Sequence, residues 1–344
     1  MKVRSVAVSR LFGMFDHFVD IRPEGLTLIH SPNGYGKSMF IRMIFLVLRG
    51  DVDELKRTPF SRFDMSFTDD TNLIIENAAG ELRIQMQRNR ITSEMTPEDL
   101  KMLCEVTYMS SERLVIKKLD GRLVPALEAY AAELSDRIND AKENISLAKI
   151  KGNYMNGDEL VFFSKDLKAK LDFIKEAGFE AEIPAGMKFP PHRHDVNTDH
   201  DDYLNLVHSL SDFVKRNYFL AESIVVFKDI INDLLIGKKV SINDKGTIGI
   251  RLNDGTSLPL NRLSSGEKQI FVIIYRILFH TAPGSIVLID EPEISLHVSW
   301  QQTLSSTFLD IARLRDLQII VATHSPQIIH DKWDLTNELR ADRA

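Results

Sequence analysis

Two segments far apart in the chain carry residue types suited to phosphate chemistry. Ser31-Pro32-Asn33-Gly34-Tyr35-Gly36-Lys37-Ser38 follows one apolar run and opens another, and the apolar run Ile286-Val287-Leu288-Ile289 ends in Asp290-Glu291-Pro292. Gly34 and Gly36 allow a tight turn without a Cβ clash. Backbone N–H groups of such a loop face inward onto phosphate oxygens at the N-terminus of a helix. Lys37 adds a cation for the β and γ phosphates, and Ser38 a hydroxyl for Mg²⁺. The spacing differs from the G-x-x-x-x-G-K-S/T loop only at Ser31, which stands at the first glycine. Asp290 would sit at the C-terminal end of a buried strand, where open α/β sheets bind ligands. There it would hold Mg²⁺ through a water, with Glu291 as general base toward the attacking water. Each segment alone also reads blandly, as an Asn-Gly turn or an acidic turn that ends a strand. Together, in this order, they describe a nucleoside triphosphate site with residues 33–39 around the phosphates.

The elements that would position these groups follow from the pattern. Residues 3–8, 18–21 and 26–29 read as strands, and 38–49 as a helix stopped by Gly50. Residues 62–68, 72–76 and 81–88 read as an antiparallel meander, with Val106-Thr107-Tyr108-Met109 a further strand. After Pro125 the texture turns helical. Leu127, Ala131, Leu134, Ile138, Ala141, Ile145 and Ala148 form a heptad-like stripe, read as an antiparallel helical hairpin with a tight seam in preference to a short coiled-coil arm. Helices follow near 158–177 and 201–235, with a Pro/His/Asp-rich loop at 178–200. A hairpin at 241–256, a helix at 270–280, strands at 286–289 and 318–322 and a helix at 299–314 complete an alternating α/β pattern. The expected organisation is one α/β nucleotide-binding domain in two halves, 1–124 and 237–344, with a helical insertion at 125–236.

Composition narrows the class. The 344 residues are 44% hydrophobic and 27% charged, ordinary for a soluble globular chain. No apolar run approaches a membrane span, and the N-terminus lacks a secretory h-region. One cysteine, Cys104, forbids an intrachain disulfide and fits a reducing cytoplasm. The net charge of −6 argues mildly against a strong non-specific nucleic-acid clamp. His192, His194 and His200 lie among Asp195, Asp199, Asp201 and Asp202 without the spacing of a catalytic zinc motif, and read as a solvated loop or partner contact. Phe12, Phe15 and Phe18 read as core strand residues in preference to neighbours of an adenine.

Three further motifs resemble the ATP-binding-cassette (ABC) ATPases. Leu263-Ser264-Ser265-Gly266-Glu267-Lys268-Gln269 is similar to the signature Leu-Ser-Gly-Gly-Gln, with Ser265 and Glu267 as departures. Ser295-Leu296-His297 stands at the D-loop position, and Thr323-His324-Ser325-Pro326 resembles the switch-histidine segment. Ile-Asp-Glu-Pro-Glu-Ile-Ser-Leu-His at 289–297 is similar to the RecF, SMC and OLD branch, especially stand-alone ATPases of bacterial anti-phage systems. Tyr108-Met109-Ser110-Ser111-Glu112-Arg113-Leu114 resembles that branch's Q-loop segment, with Glu112 in place of Gln.

The resemblance implies an ABC-type P-loop fold, a mixed sheet with an antiparallel β-meander, binding ATP and Mg²⁺ and hydrolysing ATP. It implies heads packed head to tail, as a homodimer or a higher even oligomer. Lys37, Ser38, Asp290 and Glu291 would act from one subunit, and Ser264, Ser265, Gly266 and Glu267 would meet the nucleotide from the other. Glu112 would join Ser38 and Asp290 near the metal, and His324 would hold the γ-phosphate. Residues 263–269 also read as a capped helix start, and both readings can hold together. Relatives of the OLD type continue into a nuclease domain, for which about 20 residues after His324 leave no room, so a nuclease or toxin effector is expected on a separate polypeptide. Direct gripping of duplex DNA, in repair or chromosome maintenance, is the alternative. A membrane transporter subunit fits less well, because about 225 residues separate Lys37 from Leu263.

Overall fold

The computed structural model describes residues 1–339 except 79, 119, 145–154 and 244–245. It divides into two compact units, one of residues 1–115 and 264–344 and one of residues 116–263.

The first unit holds two sheets. β1 (Val3–Leu11) and β2 (Phe15–Asp20) form a hairpin, and β3 (Gly25–His30) leads into the glycine-rich loop and α1 (Lys37–Leu48). The meander is β4 (Arg62–Phe67), β5 (Asn72–Ala78), β6 (Glu81–Arg88) and β7 (Ile91–Glu94), followed by β8 (Val106–Met109). The second stretch contributes α2 (Ser265–Phe279), β9 (Ile286–Asp290), α3 (Val298–Arg315), β10 (Gln318–Thr323) and β11 (Thr336–Glu338). The pattern had not signalled β7, exposed throughout, or the three-residue edge strand β11.

One sheet is antiparallel, ordered β2-β1-β4-β5-β6-β7. Its central strands alternate, burying Val6 and Val8 of β1, Phe63, Met65 and Phe67 of β4, and Leu73 and Ile75 of β5. The other sheet is parallel, ordered β11-β3-β10-β9-β8. Every residue of β9 and β10 is buried, as expected of parallel strands covered on both faces. α1 lies between the sheets: Phe40, Ile41, Ile44 and Val47 share one core with β1, β4 and β5 and with Ile286, Leu288, Ile320 and Ala322. The loop before α1 is therefore anchored on an element held from both sides.

In the second unit the helix Gly157–Glu176 packs along the 35-residue helix His200–Leu234. A short helix, Arg193–Thr198, interrupts the expected loop, with the His192 N–H donating to Asp195 Oδ2 at 2.9 Å. No group of three or more His, Cys, Asp or Glu able to hold a metal ion occurs among the described residues. The stripe Leu127, Ala131, Leu134, Ile138 and Ala141 is the buried face of one helix, Ala126–Ala141. Lys142 is extended, and Ile145 and Ala148 lie outside the described residues. Among the described residues this helix packs on the strand Ile248–Leu252 and the turn Leu260–Arg262. A face of Ala, Leu and Ile suits a sheet as well as a helix, so periodicity could not distinguish them. The same packing carries the second unit to 116–263, beyond the helical block at 125–236.

Gly50 ends α1 with a φ of 62°, its N–H donating to Val47 O at 3.0 Å. A Cβ there would stand 2.3 Å from the Pro97 carbonyl oxygen. Gly50→Ala is expected to destabilise the protein by about 2 kcal/mol or more, combining left-handed strain with a backbone clash. A denaturation midpoint unchanged from wild type would contradict this account of the helix stop.

Candidate active site

The site is built where β3, β9 and β10 end. After His30 the chain turns through Gly34 and Gly36, both in the left-handed region at φ 86° and 79°. Gly36 is the N-cap of α1 and offers no capping side chain, leaving first-turn N–H groups available to an anion. An open cavity of about 690 Å³ lies beside this turn, lined by Phe12, Asn33, Gly34, Gly36, Lys37, Ser38, Met39, Glu291, Glu293 and His324. Tyr35 is not in that lining; its ring stacks on Phe15, which stacks in turn on His17. The buried His17 holds the loop with Nε2 2.9 Å from Tyr35 O. Phe12 and Phe18 are not core residues: Phe12, at the tight turn between β1 and β2, is 41% exposed and borders the cavity, and Phe18 is 61% exposed.

Lys37 is buried, and its ammonium reaches four acceptors. Nζ donates to Ser31 O at 2.7 Å, Ser31 Oγ at 3.1 Å, Pro32 O at 3.2 Å and His324 Nδ1 at 3.0 Å. Burial lowers its pKa, while Glu291, Glu293 and Asp290 hold it up. An ammonium only donates, so Nδ1 of His324 accepts and the ring proton sits on Nε2. Nε2 lies 3.1 Å from Glu291 Oε1. Lysine, histidine and glutamate thus form one continuous line.

Beside that line, Ser38 Oγ donates to Asp290 Oδ1 at 3.0 Å. Burial raises the Asp290 carboxyl, the Ser38 hydrogen bond opposes that, and Glu291 adds to it. A hydroxyl and a carboxylate in contact are hard oxygen donors that fit Mg²⁺, and a cation there would counter the clustered negative charge. Glu291 has a φ of 45°, a conformation costing a non-glycine residue about 1–3 kcal/mol and common where a side chain must be aimed.

The structure brings together Lys37, Ser38, Asp290, Glu291 and His324. Glu112 does not join them: it is exposed and makes no hydrogen bond to Ser38 or Asp290. The neighbouring Arg113 points inward instead. Arg113 is buried, donating from Nε to Gln269 Oε1 at 2.6 Å, from Nη1 to Asp290 O at 3.1 Å and from Nη2 to Glu291 O at 2.6 Å. Burial lowers its guanidinium to about 10. Glu293 accepts at Oε1 from Thr323 Oγ1 at 2.8 Å and from the His324 N–H at 2.7 Å, fixing the histidine's backbone. Neither residue was singled out in the sequence. The second acid in Asp-Glu-Pro-Glu was the available signal for Glu293.

The signature-like segment lies outside the cavity lining. Ser264 is the N-cap of α2 in a capping box, accepting from Glu267 N–H at 3.3 Å while its own N–H donates to Glu267 Oε2 at 2.8 Å. Ser264 and Ser265 are exposed, and Gly266 is buried against the D-loop position. A Cβ on Gly266 would stand 2.5 Å from Ser295 O.

A family described as "AAA domain, putative AbiEii toxin, Type IV TA system" matches residues 139–330, and one described as "AAA domain" matches residues 11–183. The "Retron Ec83 probable ATPase" of Escherichia coli is 40% identical over 92 residues, 22% of this chain and 16% of that protein. The "Lipoprotein-releasing system ATP-binding protein LolD" of Ehrlichia chaffeensis is 31% identical over 135 residues, 38% of this chain and 56% of that protein. Both alignments span less than two thirds of the relative. A solved Smc head domain bound to the C-terminal domain of ScpA, derived from Pyrococcus furiosus, aligns with 99% of this chain and 94% of that one, at 12% identity and a TM-score of 0.49. No helix among the described residues is long and apolar enough to cross a membrane. The chain belongs to the family described as AAA domain, putative AbiEii toxin, Type IV TA system, and it resembles the ABC-type ATPases of the RecF, SMC and OLD branch, retron ATPases among them.

Proposed function

We propose that this chain hydrolyses ATP with Mg²⁺ in the cytoplasm. In this reading two copies close head to tail over the nucleotide to control a separate nuclease or toxin effector in anti-phage defence. The observation that carries the enzymatic part is the Ser38–Asp290 contact beside the line Lys37–His324–Glu291. Ser38 and Asp290 would hold Mg²⁺, which neutralises phosphate charge when bound. Lys37 exchanges its bonds to Ser31 O and Pro32 O for β- and γ-phosphate oxygens. Nε2–H of His324 keeps one Glu291 oxygen oriented, and the other Glu291 oxygen takes the proton of the attacking water. The head-to-tail arrangement is supported by the exposure of Ser264 and Ser265 outside their own chain's cavity. An outward-facing helix start can offer the first-turn N–H groups that its capping box does not use to a γ-phosphate held by a second copy. Likeness to a retron ATPase and the toxin–antitoxin description of the family support control of an effector.

One observation favours the second reading, direct contact with nucleic acid. Lys239 and Arg251 pair directly across a hairpin, both exposed, beside a cavity of about 400 Å³. Like charges directly opposite one another are unfavourable, and a phosphate backbone would relieve them. That reading requires duplex binding that weakens steeply between 50 and 200 mM salt, by on the order of 10³-fold for a multi-phosphate contact.

The decisive experiment is light scattering on Glu291→Gln with and without ATP and Mg²⁺. A rise to an even-numbered assembly on ATP addition is expected, because the base is lost while Asp290 and Ser38 remain. A mass that ATP leaves unchanged would count against nucleotide-driven closure. Lys37→Ala is expected to weaken ATP binding by about a hundredfold or more, since a buried charge-assisted contact is removed. Ser264→Arg is expected to bind ATP normally yet neither assemble nor turn over; hydrolysis at the wild-type rate would exclude the composite site.

A further inference from the structure

We propose that Arg113 is a positioning residue that ties the signature helix to the general base. One buried guanidinium holds α2 through Gln269 and, at the same time, the backbone of Asp290 and Glu291. The inference rests on the reading of Glu291 as the base.

The three bonds leave Arg113 little freedom. A guanidinium is planar, with its donors in a fixed fork. Its acceptors come from segments 156, 177 and 178 residues away in sequence. Two of the three are main-chain carbonyls, not the carboxylates of the same residues. Arg113 therefore fixes where the backbone of the acid pair lies, which neutralising those acids would not require. Gln269 is buried five residues after Ser264, just over one turn into α2. Glu291 is the residue in this pair whose backbone needs restraint, with φ at 45°. Its N–H donates to Ala322 O at 2.9 Å on one side, and its carbonyl accepts from Arg113 on the other.

A γ-phosphate docking at the N-terminus of α2 pulls on that helix. Gln269 moves with it, and the rigid fork passes the displacement to the Glu291 carbonyl. The base of one copy would then be aligned only after its own signature helix has engaged the partner's nucleotide. Coupling of this kind makes hydrolysis at the two composite sites interdependent.

The test uses the full chain carrying Arg113→Lys or Gln269→Leu, alone and in a Glu291→Gln background, with steady-state and single-turnover ATP hydrolysis. A lysine has no fork and cannot serve all three acceptors. Gln269→Leu keeps the volume and leaves the bonds to the two carbonyls, so it decides the matter if Arg113→Lys does not fold. We expect kcat to fall about tenfold or more for Arg113→Lys and about threefold or more for Gln269→Leu, with KM for ATP within about threefold of wild type. In the Glu291→Gln background neither substitution is expected to slow the residual rate further, because there is no base left to align. Wild-type kcat in both variants, with Glu291→Gln inactive, would overturn the positioning role. An equal proportional loss with and without the base would also overturn it, as a general structural effect. Wild-type turnover in Glu291→Gln itself would instead remove the base reading on which the inference stands.

Discussion

Parallel pairing of three strands is the constraint on which the site depends. Asp290 of β9 stands beside Ala322 of β10, and Ala322 beside Ile29 of β3. Neighbouring strands in a sheet lie about 4.8 Å apart, and β10 lies between β3 and β9, so the residues just beyond these three emerge within about 10 Å of one another. Those residues are Ser31 with the glycine-rich loop, Thr323-His324, and Glu291. In an antiparallel sheet the same ends would point in opposite directions. The site is thus a property of register, and register is set by runs such as Ile-Val-Leu-Ile and Ile-Ile-Val-Ala that are buried on both faces.

Around that edge the protein concentrates charges that would be unfavourable alone. Lys37, Arg113 and Asp290 are all buried, and an isolated ion in such surroundings is strongly disfavoured. Each is matched in a different way. Lys37 is surrounded by loop oxygens and His324, Arg113 by two carbonyls and an amide, and Asp290 by the Ser38 hydroxyl. Burial pulls Lys37 and Arg113 down, against their carboxylate neighbours, and pushes Asp290 up, which the Ser38 hydrogen bond opposes and Glu291 reinforces. The arrangement has several near-equivalent acceptors for one ammonium. A lysine so placed can exchange partners when a stronger anion arrives.

Much of this was legible in the sequence, and the reason is local. Lys37-Ser38 follows a loop whose glycines must take left-handed φ, and Asp290-Glu291 ends a wholly apolar run. Such signals survive without knowledge of the fold. Arg113 was invisible because its role is set by acceptors more than 150 residues away, and nothing in Glu112-Arg113 says which of two adjacent charged side chains turns inward. The motif drew attention to Glu112, and packing selected its neighbour. The stripe from Leu127 was legible only in part: its period identifies a buried helical face and is silent on whether a helix or a sheet covers it.

The close approach of Gly266 to Ser295 joins two surfaces that the chain carries 29 residues apart. With no room for even a methyl group between them, the start of α2 and the turn at Ser295 bear on each other without slack. They form a single stiff bearing surface and not two independent contacts. Any side chain larger than hydrogen at 266 would have to push the start of α2 away from the turn that leads back to Glu291.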